Sequence, residues 1–276
     1  MTRIAVVAPS CPLKRDAAAA VEAIVGERGD CELVIHPQCF MTAGHFAGPD
    51  EARLAALREV MADPKFDAVW FARGGYGSNR IAEAALAGLP DAARGKLYMG
   101  YSDEGFLLAG FHKAGLEVAW GPMPQDIVRG DHGLSDGEAA VRRALDWLVD
   151  RDPSALEPRL QPPAMAFNLT VLSNLLGTPL EPDLTGVDLL IEEVSEHLYR
   201  IDRTMFHLTA SENVRRAARI RLGRVGDIIE NDPDFGSDEV AIVEDWCARA
   251  AIPFGGRADI GHDAANRVVP FNLARN

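Results

Sequence analysis

The sequence predicts an α/β protein built on a parallel sheet, and three observations carry that expectation. Short apolar runs alternate with helix-patterned segments through the first half of the chain. Nearly every pair of runs is separated by a segment long enough for a crossover helix, which a parallel pair needs. The 276 residues, 47% of them hydrophobic, supply an ample core for one large or two ordinary domains.

The elements follow in order. Candidate strands are Ile4 to Ala8, Glu32 to His36, Ala68 to Ala72, Leu97 to Gly100 and Val118 to Trp120. Between them, helical patterns cover Asp16 to Val25, Asp50 to Ala62, Arg80 to Leu86 and Gly105 to Ala114, with a further helix from Glu138 to Val149. Pro158, Pro162 and Pro163 then punctuate a stretch of little periodicity, which divides the chain into a domain of residues 1–152, a linker at 153–164 and a second domain at 165–276. In the second part, helices are expected near Leu169 to Leu176, Asp202 to Ser211 and Asp238 to Ala250. Strands are expected at Val187 to Ile191 and Ile220 to Val225, with short apolar runs at Ile252 to Phe254 and Val268 to Phe271. The pattern there is that of a smaller α/β or α+β domain whose topology cannot be read from the sequence.

Composition narrows the function. A net charge of −13 argues against a nucleic-acid surface, because phosphate binding relies on clustered Lys and Arg. No run of about 18 apolar residues occurs, so no membrane span is expected. The apolar run after Met1-Thr2-Arg3 is too short for a signal sequence. Cys11, Cys31, Cys39 and Cys247 form no C-x-x-C pair and no zinc-like spacing, which fits a reducing cytoplasm and no metal.

Parallel sheets place ligands outside the carboxyl ends of their strands, so the loops after the strands hold the candidates. Ser102 follows the run Leu97 to Gly100 on a sharp strand-to-helix turn, which can hold a hydroxyl clear of the sheet and offer the next backbone N–H to an oxyanion. Arg73-Gly74-Gly75-Tyr76-Gly77-Ser78-Asn79-Arg80 brings three glycines after another strand. That is either a backbone nest for an anion or a plain turn needing positive φ. Glu192 and Glu193 follow Val187 to Ile191; adjacent strand residues point to opposite faces, so at most one is expected in a given cleft. His262 lies in the polar loop Gly261-His262-Asp263. A hydroxyl, an imidazole and an acid make a hydrolytic triad, but spacing alone selects neither the acid nor the histidine.

The segments Ile4-Ala5-Val6-Val7-Ala8-Pro9-Ser10, Arg73 to Arg80, Gly100-Tyr101-Ser102-Asp103 and Gly121-Pro122-Met123 stand in the first half. Asn168-Leu169, Leu176-Gly177-Thr178-Pro179, Ile191-Glu192-Glu193, Tyr199-Arg200-Ile201-Asp202-Arg203 and Gly261-His262 stand in the second. Together, and in this order, they resemble the LD-carboxypeptidase family of serine peptidases, also called muramoyltetrapeptide carboxypeptidases. The resemblance implies a Rossmann-like N-terminal domain, a smaller β-rich C-terminal domain and an active site at their interface. It makes Ser102 the nucleophile, His262 the general base and then acid, and Glu192 the residue orienting His262. It further suggests backbone N–H groups of Gly75 and Asp103 as the oxyanion hole, and Arg203 as partner of a substrate carboxylate.

The implied reaction removes the terminal D-alanine from a murein tetrapeptide, free or in muramoyl or nucleotide-linked form. It needs no cofactor and is carried out in the bacterial cytoplasm by a homodimer during peptidoglycan recycling. A neighbouring branch of the superfamily hydrolyses peptidyl or aminoacyl-nucleotide antibiotics for self-immunity, generally with a longer chain and an aromatic-bearing extra loop that is not evident here. A non-catalytic anion-binding α/β protein is the alternative from another class. The sequence departs from the family's usual pattern at Ala166-Phe167, where a glycine pair is usual, and at Trp120, where a histidine commonly precedes Gly-Pro-Met.

Overall fold

A computed structural model describes residues 1–128, 134–161 and 163–271; His132, Pro162 of the linker and residues 272–276 lie outside the described residues. The first domain runs β1 (Thr2–Val7), α1 (Arg15–Arg28), β2 (Cys31–Ile35), α2 (Asp50–Ala62), β3 (Ala68–Phe71), α3 (Asn79–Leu86), β4 (Leu97–Gly100), α4 (Gly105–Lys113), β5 (Glu117–Trp120) and α5 (Leu134–Leu145). Its five strands are all parallel, in the order β2-β1-β3-β4-β5. This is a doubly wound, Rossmann-like arrangement, and the strand order reverses between β1 and β3.

Strand alternation explains why the sheet is covered on both faces. Ile4, Val6, Trp70 and Met99 pack with Val21 and Ile24 of α1 and Val141 and Leu145 of α5. Ala5, Val7, Val69, Phe71 and Tyr98 point the other way, onto Leu57 of α2, Ile81 of α3 and Leu107 and Phe111 of α4. Successive side chains on a strand face opposite sides, so an uninterrupted apolar run is what a sheet buried on both faces requires.

The second domain runs β6 (Ala164–Asn168), α6 (Leu169–Leu175), β7 (Asp188–Val194), α7 (Leu198–Ala210), α8 (Glu212–Arg215), β8 (Arg219–Gly226), α9 (Glu239–Ala250) and β9 (Phe254–Arg257). Its sheet is all-parallel in the order β6-β7-β8-β9. The second and third layers of the molecule share one core: the α2–α4 face of the first sheet is continuous with the apolar residues of the second domain. Gly105 at the start of α4 lets α6 approach, since a Cβ there would come within 3.0 Å of Val171 Cγ1.

Two strands depart from the sequence expectation. β6 spans the last linker residue and the first residues of the second domain, where no strand was expected. Its apolar residues sit directly between prolines and a helix, with no Gly or Pro at the strand-to-helix transition. Instead the Asn168 side chain caps α6, accepting from the Val171 N–H at 3.2 Å. The last apolar run does not join the second sheet. As β10 (Val269–Pro270) it crosses back and pairs antiparallel with β5, closing the edge of the first sheet.

The segment after α5 is pinned rather than loose. Glu157 is fully buried and takes Arg221 of β8 in a two-pronged ion pair, Nη2–Oε1 2.6 Å and Nη1–Oε2 2.9 Å. Its backbone N–H donates to Val268 O at 3.0 Å, beside a bridge between Leu156 and Val268. Removing Glu157 leaves Arg221 with Asp188 Oδ2 at 3.5 Å and the carbonyls of Arg159 and Arg257, so the cost falls below the ~3–5 kcal/mol of a buried pair broken outright. Glu157→Ala is therefore expected to lower the midpoint of thermal unfolding by roughly 5 °C, as differential scanning calorimetry would measure; a shift within error of zero would show that Asp188 and the two carbonyls compensate fully.

Candidate active site

The site grows from the carboxyl ends of β4, β3 and β7 and from the loop before β10. After Gly100 the chain reaches an extended Tyr101 and then Ser102, at φ 61°, before one 3₁₀ turn leads into α4. An L-residue in the left-handed region carries strain of order 1–3 kcal/mol and persists only where its surroundings enforce it. The glycine loop supplies the space: a Cβ on Gly74 would lie 2.9 Å from Ser102 Cβ, and one on Gly75 would lie 2.6 Å from Cys11 Sγ.

Asp103 ties this elbow to the two loops at the switch point. Its buried Oδ2 accepts from Ser10 Oγ at 3.1 Å and from the backbone N–H groups of Gly77 at 3.0 Å and Ser78 at 2.8 Å. Its backbone carbonyl accepts from Ser78 Oγ at 2.6 Å. Burial pushes the Asp103 carboxyl above the usual range, while these hydrogen bonds pull it back.

His262 sits between β9 and β10 with only 6% of its side chain exposed. Its Nδ1 is 2.5 Å from Glu192 Oε2 and its Nε2 is 2.9 Å from Ser102 Oγ. A carboxylate only accepts, so Nδ1 carries the proton and Nε2 is free to accept from the Ser102 hydroxyl. Glu192 is fully buried on β7, opposite Gly223 of β8, where a Cβ would come within 3.0 Å of Glu192 Cβ. The histidine loop is braced from both domains. Arg224 of β8 pairs with Asp263 and, at 2.5 Å, with Asp259, while Arg143 of α5 donates to the carbonyls of Ala264 at 3.0 Å and Asn266 at 2.8 Å.

The two adjacent glutamates take different surroundings. Glu192 turns to His262, whereas Glu193 lines the open cavity and accepts from Asn168 Nδ2 at 2.6 Å and Thr170 Oγ1 at 2.7 Å. Burial raises the Glu193 carboxyl, opposed by those bonds. The cavity, about 760 Å³, opens between the domains and includes Ser102, His262, Gly75 and Asp103 in its wall. Arg203 is not brought there: it is exposed on α7, its guanidinium 5.3 Å over the Tyr199 ring. Sequence reasoning assigns no role to Tyr76, Asn168 or Thr170, which do line the cavity. The only signal for Asn168 is its place directly before a helical run, the position of a cap. Among the described residues, no group of three or more His, Cys, Asp or Glu side chains is arranged to hold a metal ion, and no helix is long and apolar enough to cross a membrane.

Behind the elbow, Glu104 is completely buried, with no ion pair to offset its burial among the described residues. Burial, then the neighbouring Asp103 charge, raises its pKa well above the ordinary value. The folded state thus holds a proton that the unfolded chain releases above about pH 4.3, so this group's contribution to stability falls as pH rises from there toward its folded pKa. Glu104→Gln removes that loss. Its stability measured by urea unfolding should match wild type near pH 4 and exceed it at pH 7; equal pH dependence in the two proteins would refute a proton held at Glu104.

Fold and site together define a two-domain α/β protein whose interdomain cavity is lined by a serine and a histidine that stand in one hydrogen-bonded line with a buried glutamate. The family models for the LD-carboxypeptidase N-terminal and C-terminal domains match residues 4–121 and 163–275, and the chain belongs to the LD-carboxypeptidase family. It is 30% identical to the probable murein peptide carboxypeptidase of Bacillus subtilis, over 83% of this chain and 74% of that one. It is 28% identical to the murein tetrapeptide carboxypeptidase of Pseudomonas aeruginosa, over 98% of this chain and 91% of that one. The crystal structure of muramoyltetrapeptide carboxypeptidase from Oxalobacter formigenes superposes with a TM-score of 0.83 at 25% identity, covering 98% of this chain and 92% of that one. The microcin C7 self-immunity protein MccF, solved in complex with glutamyl sulfamoyl guanosine, shares the fold at a TM-score of 0.80 and 18% identity, covering 99% and 91%.

Proposed function

We propose that this protein is a serine LD-carboxypeptidase that releases the terminal D-alanine from murein tetrapeptides, working in the cytoplasm as a homodimer, with residues 1–152 and 165–276 as its two units. The observation that carries the reading is the hydrogen-bonded line Glu192–His262–Ser102, 2.5 Å and 2.9 Å long at its two links, whose histidine and serine line the interdomain cavity. Ser102 Oγ attacks the carbonyl carbon before D-alanine as its proton passes to His262 Nε2. The oxyanion accepts from the backbone N–H groups of Gly75 and Asp103. Collapse breaks the peptide bond, and His262 returns the proton to the departing amine. Water, deprotonated by His262, then attacks the acyl-enzyme and frees the tripeptide and Ser102.

Support for murein peptides over aminoacyl nucleotides comes from the sequence relatives, whose names specify murein peptides at 28% and 30% identity. The likeness to the self-immunity protein is one of fold. Incubation with murein tetrapeptide, scored by mass for loss of one alanine, tests the proposal. An aminoacyl sulfamoyl adenosine serves as the competing substrate, and its cleavage with the tetrapeptide left intact would move the assignment to the self-immunity branch.

A further inference from the structure

Trp120 occupies a position where the family resemblance leads one to expect histidine, and its surroundings give it work. It is fully buried at the end of β5, and its indole N–H donates to Asn266 Oδ1 at 3.0 Å. The same oxygen accepts from the backbone N–H of Gly261 at 3.2 Å, one residue before His262. The Trp120 ring also meets the Tyr101 ring edge-on, centroids 5.3 Å apart, and Tyr101 meets the His262 ring at 4.9 Å. Tyr101 is itself fixed, its hydroxyl donating to Asp126 Oδ1 at 2.8 Å.

The Asn266 amide is oriented by this arrangement. Two buried N–H donors converge on one oxygen, so Oδ1 must face them, and Nδ2 is left buried without a partner among the described residues. An unpaired buried donor has a cost comparable to a lost hydrogen bond, which the fold tolerates here. Two contacts thus run from Trp120 to the histidine: one through Asn266 to the backbone of its loop, the other through Tyr101 to its ring.

We infer that Trp120 and Asn266 form a positioning pair that fixes the height and tilt of the His262 imidazole between Glu192 and Ser102. Neither lines the cavity; they act through the histidine loop and, for Trp120, through the Tyr101 ring. A histidine at 120 is smaller and would have to reach Asn266 with a ring nitrogen, so the tryptophan couples ring packing and loop anchoring in one side chain. The consequence for reaction rate rests on the proposed role of His262 as base; the positioning itself does not.

The test therefore reads His262 directly. Proton NMR of the full-length protein should show a far-downfield imidazole N–H resonance that vanishes in His262→Ala. In Trp120→Phe, which keeps an aromatic ring but loses the donor, and in Asn266→Ala, its exchange with solvent should quicken about tenfold or more, the scale of one buried hydrogen bond. Asn266→Asp keeps the acceptor oxygen and should restore slow exchange. The double variant Trp120→Phe/Asn266→Ala should show an effect well below the product of the two single effects, because one path is being cut twice. Fluorophosphonate labelling of Ser102 should slow in parallel. Exchange within about twofold of wild type in both folded single variants, or no protected His262 proton in wild type, would overturn the inference. Failure of the wild-type protein to take label or release alanine would instead count against the proposed function and leave the exchange measurement standing.

Discussion

Ser102→Ala and His262→Ala are each expected to reduce D-alanine release by several orders of magnitude, on the order of 10⁶, with the fold intact. The two losses should be nearly equal and the double variant no worse, because a nucleophile and its base act as one unit. What remains is binding and the oxyanion donors alone. Neither residue supports the core: Ser102 faces the cavity, and His262 is held by its loop. The left-handed backbone at Ser102 adds a second readout. Ser102→Gly is equally inactive but relieves the φ strain, so it should unfold about 2–4 °C higher than the alanine variant. Near wild-type turnover of tetrapeptide by Ser102→Ala, with the protein free of contaminating peptidase, would end the assignment.

The second large effect is expected at Glu192. Replacing it with glutamine preserves shape and burial but substitutes a group that donates as well as accepts. The amide can offer N–H to Nδ1, moving the imidazole proton to Nε2, where it faces Ser102 and blocks proton transfer. A loss of about 10⁴ in kcat is expected with KM little changed, as for the corresponding change in a Ser-His-Asp triad. Glu193→Gln offers the contrast. Its carboxylate holds Asn168 and Thr170, not the histidine, so a mild effect concentrated in KM is expected. If the two variants behaved alike in steady-state kinetics, the division of labour between adjacent glutamates would be wrong.

Much of the first domain is legible in the sequence because a strand buried on both faces needs an apolar run, and such runs stand out between amphipathic helices. β6 is hidden for a related reason: four apolar residues abut a helix of similar character, and the boundary is made by the Asn168 cap rather than by a helix breaker. β10 is visible as an apolar run, but nothing local says that its two residues pair with β5, some 150 positions earlier. The site is legible to the same extent. The turn at Ser102 is marked by neighbouring glycine and strand, whereas Glu192 and His262 lie 90 and 160 residues downstream of it and are joined to it only by tertiary structure. Only the family resemblance singles them out in advance. It does not rescue Arg203, whose helix turns that side chain to solvent.

The return of the last strand to the first sheet sets an order of events during synthesis. A ribosome delivers β1 to β5 well before β10, so the nascent first domain holds an open edge at β5 in the interval, with unpaired backbone groups available to other chains. That edge is closed only when residues 269–270 emerge, and the same passage of chain carries His262 to Ser102. Sealing the edge and bringing His262 to Ser102 thus both wait for the same late stretch of chain. A chain cut short before His262 would leave the β5 edge open and Ser102 without its imidazole partner, and so, on the proposed mechanism, would be both unprotected and inert.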